Sequence, residues 1–154
     1  MGSDNGAMNG TSCCIPEAIQ KDEKKTAISN GFGIPLTMSL HLWVSSPWTV
    51  ATIAAVAMNL TYIEASIKAR GEAKQNYLST ELPVSLSLIG MAIYGYSQEV
   101  PELIIAAIFI HGIWDMGKHH CGWGVPFFGW YLNGCAIFDT VYAAVLVMLL
   151  RSSS

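Results

Sequence analysis

Residues 47–67 read PWTVATIAAVAMNLTYIEASI. These 21 residues contain a single charge, Glu64, and crossing a hydrocarbon core takes about 20 predominantly apolar residues in a helix. Pro47 suits the first helical turn, where its missing N–H has no partner to lose. The stretch is therefore expected to be a membrane-spanning helix.

The flanks agree with that reading. Upstream, residues 34–46 include His41 and Trp43 and are too short to cross, so they form an interfacial or re-entrant lead-in. Residues 1–33 are rich in Gly, Ser, Asn, Lys and Glu and make a polar, flexible tail. Downstream, Lys68 to Glu81 is a polar loop, and three further apolar runs follow at 82–98, 101–117 and 127–150. The second and third runs reach about 27–30 Å only with their flanks included. The linker at Gln98–Pro101 is tight, which makes its two helices antiparallel neighbours. The expected architecture is all-α: an up-down bundle of four transmembrane helices over 47–151, multi-pass in a lipid bilayer.

Composition supports lipid as the solvent. The chain has 154 residues, 52% hydrophobic and 12% charged, where a soluble domain carries roughly 25% charged residues. Seven of the nineteen Lys, Arg, Asp and Glu residues fall in the first 30 positions. The net charge of −3 and the lack of a basic stripe exclude nucleic acid as a partner. The four cysteines form no CxxC pair and no zinc-ribbon spacing. Lys68, Arg70, Lys74 and Lys118 flank the first and third loops, which the positive-inside rule places in the cytoplasm. The tail lysines argue the opposite way, and the sequon at Asn9 would report the topology.

Ionisable groups inside a span are costly and each needs a reason. On an up-down bundle Glu64, His111, Asp115 and Asp139, with His119 and His120 just beyond, all fall in one half of the bilayer. At 100° per residue His111, Asp115 and His119 share an arc of about 80°, as do Tyr131, Cys135, Asp139 and Tyr142 on the last span. Two such stripes on adjacent helices should face each other, because neither will face lipid. Glu64 would add a third wall unless Lys68 neutralises it. His41 stands isolated and reads as interfacial.

Two chemistries fit this set. In one, His111, Asp115 and His119, with Asp139 or Glu64, bind a divalent metal ion. In the other, His111, Asp115, Asp139 and Glu64 act as acid and base on an apolar small molecule arriving from the bilayer. A purely structural polar network gluing the helices is the bland alternative. A di-iron centre built on histidine boxes is excluded, since the chain has only four histidines.

His111-Gly112-Ile113-Trp114-Asp115, then His119-His120, Val125-Pro126, Trp130-Tyr131, Cys135 and Asp139-x-x-Tyr142 resemble an uncharacterised family, a domain of unknown function. It comprises small four-helix integral membrane proteins, and the likeness covers about residues 48–150. The resemblance implies the fold and supplies no reaction. In architecture alone the chain is also similar to small membrane isomerases and terpenoid cyclases, an analogy of fold and not of site. The functional expectation is a small membrane enzyme (an isomerase, a cyclase or a metal-dependent lipid-modifying enzyme) acting on a sterol, terpenoid or polyketide. The alternative is a non-catalytic assembly subunit or a carrier of protons or metal ions.

Overall fold

The computed structural model describes residues 40–41, 46–72, 77–125 and 129–152. The tail expected at 1–33, with its cysteines, lysines and sequon, and most of the lead-in lie outside the described residues. Four helices make up the described chain: α1 (Pro47–Glu72), α2 (Leu78–Ser97), α3 (Pro101–Cys121) and α4 (Gly129–Ser152). Three contain segments long and apolar enough to cross a membrane, Pro47–Ile67, Leu78–Ser97 and Tyr131–Ser152. α3 has the length, but Glu102, Asp115 and Lys118 interrupt its apolar character.

Three helices extend into segments expected to be loops. α1 runs past Ile67 to Glu72. α2 begins four residues earlier than the hydropathy suggests, at Leu78, and so carries Glu81 in its first turn. α3 continues through Gly117 to Cys121. It ends where Gly122 turns left-handed at φ 67°, with the Gly122 N–H on the Lys118 carbonyl at 3.2 Å. Pro101 opens α3 at the position where proline is favoured.

Each helix buries one stripe with a spacing of three or four residues. In α1 the stripe is Ala51, Ala55, Asn59, Tyr62 and Ser66; in α2 it is Glu81, Ser85, Leu88, Ala92 and Gly95. Small residues on such stripes let helix backbones approach closely, a pattern also common between membrane helices. The outward faces carry Ile53, Leu60, Ile93, Ile113 and Met148, all exposed. Large apolar residues outside and polar residues inside invert the soluble pattern.

α3 is the hub, packing on α1, α2 and α4. Contacts join the start of one helix to the end of the next. Thr49 in α1 meets Tyr96 in α2 across 3.1 Å, Glu81 in α2 pairs with Lys118 in α3, and Glu102 and Arg151 share one groove between α3 and α4. His41 is not isolated: its Nε2 lies 2.8 Å from the Tyr142 hydroxyl in α4. Burial holds the His41 imidazole below its usual pKa, so the contact is made by the neutral ring at neutral pH.

Candidate functional site: a buried His–Asp–Asp centre

Two helices deliver the centre. His111 and Asp115 lie one turn apart on α3 and Asp139 lies midway along α4. All three are buried, with 1% of His111 and none of either aspartate exposed. His111 Nδ1 is 2.8 Å from Asp139 Oδ2 and 3.8 Å from Asp115 Oδ2. The ligand atoms of the three residues all fall within 4.8 Å of one another.

α1 supplies the support. The Tyr62 hydroxyl donates to Asp115 Oδ1 at 2.5 Å. The Tyr62 ring stacks on the His111 ring, centroids 5.2 Å apart and 28° between planes. One tyrosine therefore aims the carboxylate and limits rotation of the imidazole. That leaves His111 Nε2, Asp115 Oδ2 and Asp139 Oδ1 buried without a hydrogen-bond partner. Unsatisfied buried polar atoms are rare in folded proteins, and their clustering here marks the place where chemistry or coordination would occur.

A second polar unit adjoins the first. Lys118 Nζ lies 3.3 Å from the Tyr62 ring centroid and forms an ion pair with Glu81 of α2. Glu81 also accepts the Val125 N–H at 2.8 Å and the Trp114 indole N–H at 3.2 Å. Gly124, at φ 64°, turns the chain so that the Val125 N–H points at the carboxylate. Glu81, Lys118, Tyr62, Asp115, His111 and Asp139 thus form one continuous string through the bundle.

The sequence-based candidates divide cleanly. His111, Asp115 and Asp139 come together as expected. Glu64 does not join them: it sits on the exposed face of α1, and Tyr62, two residues away and so on the opposite side, takes the inward place. His119 stays on α3 but outside the three-residue group, which takes Asp139 of α4 as its third ligand donor instead. The reach across to α4 is 2.8 Å at His111, whereas a further turn along α3 leads away from it. Lys118, expected to be a loop charge that helps set topology, is 5% exposed and paired with Glu81. Tyr62 and Glu81 were not anticipated. Tyr62 is lost in an apolar run, and the polar residues before Glu81 make it read as part of a loop.

Close packing of α3 on α4 depends on Gly112. A Cβ there would lie 3.0 Å from the Asp139 Cβ and 3.4 Å from the Ala136 carbonyl. The obstacle is the Asp139 Cβ, which is fixed to the α4 backbone and cannot swing aside. Gly112→Ala is expected to push α4 away, lengthen the His111–Asp139 contact and cost about 1–3 kcal/mol. Gly90→Ala is the control, since nothing lies within 4 Å of its added Cβ. Thermal unfolding in detergent compares the two; equal midpoints would show that α3 and α4 are not in close contact at this depth.

No family model, curated protein or solved structure matches the chain.

Proposed function

We propose that this chain is a multi-pass membrane protein with its four helices in an up-down bundle. Its His111–Asp115–Asp139 centre performs acid–base chemistry, such as isomerisation or cyclisation, on a lipid-soluble sterol, terpenoid or polyketide. The start-to-end contacts between successive helices support the bundle. The observation that carries the chemistry is a single imidazole held between carboxylates of two helices, with its distal nitrogen unpartnered.

The roles follow from the geometry. Asp139 beside Nδ1 favours the tautomer with its proton there, as an N–H donating to Oδ2, and this leaves Nε2 as the base. Asp115, aimed by Tyr62 and 3.8 Å from the imidazole, is the carboxyl placed to give the second proton of an acid–base exchange. The centre is enclosed. Ala136 and Thr140 flank Asp139 on α4 and line a groove on the outer side of α3 and α4. Admission of an apolar substrate therefore requires α3 and α4 to part beside Asp139.

The test compares apolar extracts from cells producing the wild type and Asp139→Asn. The expected result is a pair of isomers whose ratio changes only with the wild type. Identical extracts, with the variant folded, would reject the enzyme and leave the carrier or assembly reading.

A second reading rests on its own observation. Asp115, Asp139 and Glu81 carry three negative charges when ionised and Lys118 one positive, so two positive charges are wanting. The proton that Asp115 donates supplies one of them in the acid–base reading. One divalent cation would supply both, and the donor set (one imidazole and two carboxylates within 4.8 Å) fits such an ion. His111, Asp115 and Asp139 would hold it, and Tyr62 would orient Asp115 from behind. When bound, the ion would act as a Lewis acid. Elemental analysis of the purified protein decides: one equivalent of metal, lost in Asp115→Asn, is the outcome expected of coordination. An active preparation without metal would end that reading.

A further inference from the structure

The outer side of the α3/α4 pair, whose stretch beside Asp139 is the proposed way in to the centre, carries a longer feature. A groove of about 590 Å³ runs between the two helices, opening between Glu102 and Arg151 and walled by Ala106, Ala143 and Val147. It meets a second hollow of about 450 Å³ that reaches Met116 and Asn133. The two share Phe109 and Thr140, so they form one continuous channel along the helix pair.

Its charges lie at one end. Glu102 is in the first turn of α3 and Arg151 in the last turn of α4, and both are exposed. No other lining residue of either hollow is charged. From Glu102 to Met116 the channel runs along fourteen residues of helix, or about 21 Å. Half of a hydrocarbon core is about 15 Å, so an acyl chain starting at the charged end would occupy most of it.

We propose that this channel binds one phosphatidylethanolamine-type lipid, with its phosphate on Arg151, its ammonium on Glu102 and one acyl chain laid past Phe109. A guanidinium matches phosphate with two parallel hydrogen bonds. A primary ammonium donates to a carboxylate, which a trimethylammonium cannot do. An anionic headgroup would satisfy Arg151 and set a second negative charge beside Glu102. The one-cation, one-anion rim therefore selects a zwitterion with N–H donors. Small side chains at Ala106, Ala143 and Ala144 leave room for a chain against the helix backbones. The proposal requires the helices to lie in a bilayer and does not depend on the chemistry of the His–Asp–Asp centre.

The experiment uses the full-length protein, released from mixed vesicles and weighed intact with its bound lipids. Phosphatidylethanolamine, phosphatidylcholine and phosphatidylglycerol are supplied in equal amounts. The expected result is one phosphatidylethanolamine retained per chain, preferred by about tenfold over the other two, and loss of that preference in Arg151→Gln and in Glu102→Gln. Ala144→Trp should fill the channel and release the lipid with both charges intact. Equal retention of the three lipids, or a preference unchanged in all three variants, would overturn the assignment and leave ordinary boundary lipid. Asp139→Asn should retain the lipid, which separates this result from any failure of the buried centre.

Discussion

Lys118→Met is expected to unfold the protein at a markedly lower temperature than the wild type. Lys118 is 5% exposed and Glu81 is fully buried, and the two form an ion pair between α2 and α3. Removing the ammonium strands a carboxylate in a low-dielectric interior, and breaking a buried pair in this way costs about 3–5 kcal/mol. The Val125 and Trp114 N–H groups remain to solvate Glu81, but neither carries a charge. Glu81→Gln with Lys118→Met removes both charges and keeps an amide oxygen for the Val125 N–H. That double variant is expected to be more stable than Lys118→Met alone. Unfolding midpoints in detergent for the wild type, the single and the double variant decide the matter. A single variant as stable as the wild type would mean that Lys118 reaches water and that the pair fastens nothing.

Asp139→Ala and Asp139→Asn are expected to part company. Alanine removes the acceptor 2.8 Å from His111 Nδ1 and opens a hole beside Gly112. It should lose about 3–5 kcal/mol of stability, together with any turnover or bound cation. Asparagine keeps the shape and an oxygen for the His111 N–H, so the fold should stand within about 1–2 kcal/mol. Activity should nevertheless fall by about 10²–10⁴-fold, because the amide no longer holds the His111 proton on Nδ1 and leaves Nε2 a poorer base. The pairing of readouts is what matters. A folded, inactive Asp139→Asn protein marks a working centre, and a misfolded one marks a polar rivet between α3 and α4.

Gly112→Ala belongs with these two. It leaves every ionisable group in place and alters only the spacing of α3 and α4. If it lowers stability as expected, the precision of the centre comes from backbone proximity as well as from hydrogen bonds. The same proximity explains why a glycine follows His111 directly in the chain.

Local sequence was enough to specify four helices, because apolar length and charge depletion are properties of consecutive residues. It was also enough to put His111 and Asp115 on one side of α3, since four residues make nearly one turn. Asp139 was legible because a carboxylate in the middle of an apolar span has few tolerable places to go. The inward face of α1 was not legible. That helix is apolar nearly all round, so its sequence carries no strong periodic signal. Packing of α1 on α2 and α3, with Ala51 and Ala55 in the shared core, turns Tyr62 inward and Glu64 outward. Glu81 and Lys118 sit 37 positions apart at the ends of their helices, and as isolated charges they look like loop residues. Only the docking of α2 on α3 removes both from water, and each charge is then tolerable because the other neutralises it.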